Sequence, residues 1–213
     1  MAQTHPKHRY KFIIAMLTGL FLAMPAVPVR AAEQLPEPEL GDNGLHRQDW
    51  FHEGFLELAD DLSEAADQGK DLLIMVEQPG CPYCREMHQV NLRIPPIVDY
   101  IKDHYLVVQL DMRGAREVVD LDGTALEERE LVRKWGVAFT PTLLFVPAEA
   151  VGGSGTAKDR AAMVMPGYFK PFHFDTMMHF IAENAYQDGG DFQRYIDERA
   201  AKLRAEGKKV DIW

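Results

Sequence analysis

Residues 74–87 read IMVEQPGCPYCREM and hold both cysteines of the chain, Cys81 and Cys84. The apolar residues up to Val76 suit the end of a buried strand, and the polar run after Cys84 suits a helix. A short loop joins the two. This order puts Cys81 at a helix N-terminus, where free backbone N–H groups and the helix dipole stabilise a thiolate. Pro82 fits the first turn, because its missing N–H is not needed there. Cys81 can then attack a disulfide, and Cys84, one turn further in, can resolve the mixed disulfide.

Other uses of the pair fit less well. A disulfide stabilises mainly by closing a loop, with an effect that grows with loop length, and two intervening residues close very little. A zinc site of four ligands needs a second ligand pair, and none is evident. Haem attachment needs His directly after the second cysteine, where Arg85 stands. His88 lies four residues after Cys84 on the same helical face. A copper-binding carrier using Cys81, Cys84 and His88 is therefore the competing reading from another class. Otherwise His88 reads as a polar residue on the helix surface. The ten methionines are scattered and read as core packing.

The rest of the chain supplies context. Lys7, Arg9 and Lys11 precede an apolar run over 12–26, and Val29-Arg30-Ala31 offers small residues for cleavage after Ala31. That is the layout of a secretory signal peptide over 1–31, and a bacterial periplasm is the expected location. The remaining 182 residues suffice for one domain with a sizeable core. Of 23 basic and 33 acidic side chains, the leader holds four basic and no acidic ones, leaving a net charge of −14. An excess this acidic argues against nucleic acid and anionic membrane surfaces as partners.

Residues 32–48 read as an irregular lead-in to a domain over 49–213. Trp50, Phe51, Phe55, Leu58 and Leu62 then fall at helical spacing, with Asp49 as N-cap and Gly69 as stop. Strands are expected over 72–76, 105–112, 142–146 and 161–165. Helices are expected over 81–92, 97–103, 126–135, 172–186 and 190–206, the last within a C-terminal extension over 190–213. Pro95-Pro96 breaks the chain between the first two of these helices. Residues 113–125 are polar and read as an inserted loop or small hairpin. Alternation of strands and helices predicts an α/β sandwich with a mixed central sheet.

Residues 135–145 read WGVAFTPTLLF, with Pro141 immediately before a strand. A cis X–Pro bond is a suitable tight turn into a strand. With C-P-Y-C, the apolar strand before it and WGVAFTPT about 55 residues on, the chain resembles the thioredoxin superfamily. It is similar in particular to periplasmic thioredoxin-like proteins of the SoxW type, on EQPGCPYCREMH, VVQLDM, KWGVAFTPT and MPGYFKPFHF.

The resemblance implies a three-layer α/β/α fold with an extra N-terminal helix and a C-terminal helical extension. It implies Cys81 as the exposed nucleophile, Cys84 as the buried resolving thiol and Pro141 as a cis-proline against the disulfide. Substrate would bind along Pro82, Tyr83, the backbone of Thr140, and Gly167. Thioredoxin keeps a buried acid six residues before its first cysteine, where this chain has Met75. Glu77, two residues on along the same strand face, is the candidate for proton transfer; its alternative is a solvated loop carboxylate.

The implied activity is that of a thiol–disulfide oxidoreductase that needs no cofactor beyond its own cysteine couple. The implied partners are periplasmic protein disulfides and a membrane thiol–disulfide electron donor, in sulfur oxidation or cytochrome maturation, with the chain acting as a monomer. A disulfide oxidase or isomerase is the alternative within redox chemistry.

Overall fold

The computed structural model describes Met1 and residues 34–210, so the leader-like segment, beyond Met1, lies outside the described residues. The fold is organised around β3 (Asp71–Glu77), whose residues 72–77 are all buried. Strands with one solvated face alternate apolar and polar residues, whereas this run is apolar throughout up to Val76, because both faces are covered. Leu72, Ile74 and Val76 enter one core, and Leu73 and Met75 enter the other.

β3 pairs in parallel with β4 (Tyr105–Asp111) and antiparallel with β7 (Thr142–Val146), which in turn pairs antiparallel with β8 (Met163–Pro166). The order β4-β3-β7-β8 makes a four-stranded mixed sheet. One face is covered by α1 (Leu58–Asp67), through Leu58, Leu62 and Ala65, and by α4 (Glu128–Lys134), through Leu131 and Val132. The other face is covered by α2 (Pro82–Gln89), α3 (Pro95–His104) and α6 (Pro171–Ala182), with Met87, Ile101 and Phe174 among the contacts. Each fully buried aliphatic or aromatic side chain adds about 1.5–3 kcal/mol to this assembly. Helix α7 (Phe192–Ala205) extends the C-terminus and packs on α6.

Three features differ from the sequence reading: the start of α1, a hairpin in the lead-in and a short extra helix. The helix expected from Asp49 begins only at Leu58. Trp50 and Phe51 pack in the core on the α2 side, Phe55 is 96 % exposed, and Leu56 takes a positive φ of 60°. The chain uses residues 52–57 to cross from one face of the sheet to the other, which a continuous helix could not do. The expected break at Pro95-Pro96 is present: α2 ends at Gln89 and α3 starts at Pro95, where a missing N–H costs nothing. Within the lead-in, β1 (Glu39–Leu40) and β2 (His46–Arg47) form an antiparallel hairpin. As expected, the 113–125 segment contributes to a small hairpin, β5 (Glu117–Val119) with β6 (Ala125–Glu127). Between β7 and β8 lies a short helix, α5 (Ala157–Arg160), that the pattern did not reveal.

Buried polar groups hold the periphery. Asp120 is fully buried and accepts from the Trp135 indole N–H at 3.0 Å and from the backbone N–H groups of Leu121 and Ala157, both at 2.8 Å. It thereby ties the second hairpin to α4 and α5. On the other side, the His179 imidazole stacks on Tyr100 at 3.6 Å. Burial, reinforced by the Arg199 charge, holds His179 below the ordinary histidine value of 6.5.

The folded state therefore binds fewer protons at His179 than the unfolded chain once pH falls below about 6.5. Stability is expected to fall on acidification from neutral pH through that region. His179→Gln should flatten this part of the profile, as read by urea denaturation at a series of pH values. An unchanged slope would assign the acid sensitivity to other groups.

Candidate active site

The loop from β3 to α2 brings the cysteines to one end of the sheet. Gly80 turns the chain with φ +73°, a left-handed conformation that favours glycine. A Cβ placed there would meet no atom within 4 Å, so backbone conformation and not space selects glycine. Cys81 is the N-cap of α2, with Pro82 in the first turn. The Cys84 backbone N–H donates to Cys81 Sγ at 3.1 Å, the contact through which a helix N-terminus stabilises a thiolate.

Cys81 and Cys84 are joined as a disulfide, with Cα atoms 5.3 Å apart. Cys81 is the more accessible of the two, but at 7 % against 3 % both are buried. The nucleophile is thus recessed, not fully exposed as the resemblance implied. One side of Cys81 faces the loops before β7 and after β8.

That side carries most of the other residues singled out in the sequence. Thr140 places its carbonyl oxygen and its Oγ1 each 3.4 Å from Cys81 Sγ. The Thr140–Pro141 peptide bond is cis. Gly167, at φ +90°, donates its N–H to the Pro141 carbonyl at 2.7 Å, which sets the loop after β8 beside the disulfide. Tyr83 is 62 % exposed and stacks on Tyr168, with ring centroids 6.4 Å apart. Phe139, beside Thr140, is 68 % exposed. A recessed sulfur flanked by two exposed aromatic rings suits an extended partner segment better than a small solute.

The loop after β8 is fixed by Asn91, a residue the sequence did not bring forward. It is fully buried in the 3-10 turn after α2. Its Nδ2 donates to the Phe169 carbonyl at 2.8 Å, and the Tyr168 hydroxyl donates to its Oδ1 at 3.1 Å.

Beneath the cysteines lies a second buried group. Glu77, the last residue of β3, is 1 % exposed, so it is not a solvated loop carboxylate. Its Oε2 accepts from His88 Nε2 at 3.0 Å and from Gln109 Nε2 at 2.5 Å. His88 is fully buried on the inner face of α2, which corrects the surface placement expected from its sequence. Its other ring nitrogen, Nδ1, accepts from the amide of Gln48 at 3.2 Å. With both ring nitrogens engaged, His88 has none free to join the cysteines around copper. Among the described residues, no group of three or more His, Cys, Asp or Glu is placed to hold a metal ion. The sequence signals for the buried pair were the strand face that Glu77 shares with Met75 and the i, i+4 spacing of Cys84 and His88; nothing local pointed to Gln48 or Gln109.

The comparisons with known proteins bear on this arrangement. The sequence matches the family model described as a thioredoxin-like domain over residues 58–182. The chain belongs to the thioredoxin-like domain family. No curated protein sequence matches it significantly. Among solved structures, a thioredoxin-fold protein from Helicobacter pylori aligns at 19 % identity and a TM-score of 0.50, covering 70 % of this chain and 98 % of its own. A thioredoxin from Thermus thermophilus aligns at 18 % identity and 0.47, covering 62 % and 89 %. The C-terminal domain of DsbD from Neisseria meningitidis aligns at 17 % and 0.37, covering 60 % and 92 %. At such identities a likeness speaks for the fold alone.

Asn91→Leu should strand the Tyr168 hydroxyl and the Phe169 carbonyl and cost about 1–3 kcal/mol in urea denaturation of the oxidised protein. Hydrogen exchange at the Gly167 amide should quicken, while the amides of α7 keep their protection. Unaltered Gly167 exchange would show that Asn91 does not hold this loop.

Proposed function

We propose that the chain is a thiol–disulfide oxidoreductase that reduces disulfides of partner proteins through the Cys81–Cys84 couple. The observation that carries this is the placement of the chain's only cysteines. They form a C-x-x-C disulfide at the N-terminus of α2, with Thr140 and a cis Pro141 against Cys81 Sγ.

In the reaction, Cys81 as thiolate attacks a sulfur of the partner's disulfide and a mixed disulfide forms. One partner sulfur leaves as thiolate and takes up a proton. Cys84 gives up its proton and attacks Cys81 Sγ, the mixed disulfide breaks, and the second partner sulfur leaves and is protonated. Two electrons pass from the dithiol to the partner, and the Cys81–Cys84 disulfide remains. Met75 leaves no acid six residues before Cys81, and Glu77 is the buried carboxylate that lines the same cleft as Cys84 and can serve it. Tyr83, Pro82, the Thr140 backbone and Gly167 form the partner surface, where an extended segment would bind by strand addition.

The setting is read from the sequence. The leader-like sequence of residues 1–31 supports a bacterial periplasm as the setting, with a membrane thiol–disulfide protein as the electron donor. The resemblance to SoxW-type proteins suggests partners in sulfur oxidation or cytochrome maturation, and we read the chain as a monomer. Pro-Tyr between the cysteines, as in glutaredoxins, argues for a potential between those of thioredoxin and glutaredoxin.

Equilibration in glutathione or dithiothreitol buffers is expected to give a reduction potential near or below about −220 mV. A value of about −120 to −180 mV would instead indicate an oxidase or isomerase. Cys84→Ser should accumulate mixed disulfides with partner proteins on non-reducing gels, and Cys81→Ser should form none. Accumulation in neither variant would remove the oxidoreductase reading altogether.

A further inference from the structure

The Glu77–His88 pair is buried, at 1 % and 0 % exposure, and burying ionisable groups is costly. Glu77 accepts two hydrogen bonds, and both go to Oε2. Its other oxygen, Oε1, is buried and has no hydrogen-bond partner among the described residues. A carboxylate oxygen left unpaired in this way normally costs stability, which suggests that it is kept for another use.

Its position indicates the use. Glu77 and Cys84 line the same cleft of about 280 Å³, together with Gly80 and Cys81. The far wall is the N-terminal hairpin, through Leu45 and His46. The cleft is large enough for water, at about 30 Å³ per molecule, so a proton can pass directly or through one water.

The hairpin segment also reaches His88. Gln48, just beyond β2, donates its amide to His88 Nδ1, which leaves the ring proton on Nε2, aimed at Glu77 Oε2. Gln109 joins the same elements, donating to Glu77 Oε2 and, at 2.8 Å, to the His46 carbonyl. Gln48, His88 and Glu77 thus form a chain that fixes which carboxylate oxygen is free.

We propose that His88 is a positioning residue of the redox site. Held in one tautomer by Gln48 of the N-terminal segment, it keeps Oε2 of Glu77 occupied so that Oε1 takes the proton of Cys84. This deepens the oxidoreductase reading above and rests on it. In the resolving step the Cys84 proton moves to Glu77 Oε1 as Cys84 Sγ bonds to Cys81 Sγ. The Cys81–partner bond breaks, its electron pair stays on the partner sulfur, and Glu77 returns the proton to that thiolate.

The other groups facing Glu77 do not replace it. Arg85 of α2 is exposed, and Asp111, the register partner on β4, turns Oδ1 to the Arg113 N–H at 2.8 Å. His46 lines the cleft and also has an unpartnered Nδ1. Burial and then the nearby His88 push its imidazole below the usual histidine range, so its own variant is included in the test.

The test is a single turnover. Cys81 of the full chain is loaded as a mixed disulfide with 2-nitro-5-thiobenzoate, and release of the coloured thiolate reports attack by Cys84. His88→Leu is expected to slow release about tenfold at pH 7 and move the pH–rate midpoint upward by about one unit, since a poorly placed acceptor loses part of its contribution. His88→Gln, which can still donate to Glu77, should restore most of the rate. Gln48→Leu, at a half-buried position, should shift the midpoint the same way by a smaller amount, and His46→Gln should leave it in place.

Profiles of His88→Leu and Gln48→Leu that superimpose on the parent would overturn the proposal, as would a shift seen only in His46→Gln. Should His88→Leu fail to fold by near-ultraviolet circular dichroism, Gln48→Leu decides alone. Failure of the parent itself to release the thiolate would count against the oxidoreductase reading and is visible before any variant is made.

Discussion

A carboxylate at the end of a central strand, with 1 % of its surface exposed, imposes conditions on everything around it. Removing an ionised group from water costs several kcal/mol unless hydrogen bonds and opposite charge compensate. Glu77 draws its compensation from three elements: His88 on α2, Gln109 on β4 and, one bond further out, Gln48 beyond β2. The cysteine helix, the edge strand and the N-terminal hairpin are therefore joined by one polar chain under the disulfide. The apolar cores above and below β3 supply the bulk of the stability, but they would accept many small shifts of α2. The polar chain does not, because a donor displaced by an ångström no longer forms its bond.

This explains how a chain with two cysteines can give them unlike environments. Cys81 meets the helix N-terminus, the Thr140 carbonyl and hydroxyl, and the side where Tyr83 and Phe139 stand exposed. Cys84 faces inward, to the cleft it shares with Glu77. On the proposed function, the first sulfur would attack a partner and the second would make the return attack. The loop after β8, pinned by Asn91, completes the outer side, whereas the lead-in hairpin completes the inner side. Residues remote in sequence thus divide the work of the two cysteines between them.

The sequence disclosed what depends on short-range pattern. The apolar run of β3, the C-x-x-C after it and the Thr-Pro-Thr before β7 each announce themselves within a few residues. The α1 boundary was misread because Trp50, Phe51 and Phe55 happen to fall at helical spacing with Leu58 and Leu62, although the first two pack on the opposite face of the sheet. His88 was placed on the surface because a polar side chain in a polar helix gives no local sign of burial. Its partners lie 11 and 40 residues away, and only the fold brings them together. The hairpin was legible in principle: Gly41-Asp42-Asn43-Gly44 is a turn signal set between Leu40 and Leu45. What could not be read is that this hairpin closes the cleft beside the cysteines.

The position of the acid has a further consequence. An acid six residues before the first cysteine would lie at Met75, deep in the core on the α2 side. Glu77 is one pleat nearer the end of the strand, about 6–7 Å along it and on the same face. The shift lets the core keep an apolar residue at Met75, packed among Leu73, Met87 and Phe145, and so spares it a buried charge. It also brings the carboxylate to the mouth of the sheet, where water would reach it freely if nothing lay across the opening. Leu45, 2 % exposed, and His46 lie across it. On this argument the hairpin is not an ornament of the N-terminus. A carboxylate moved toward solvent stays 1 % exposed only if another segment supplies the wall, and Leu45 and His46 of the 39–48 segment supply it.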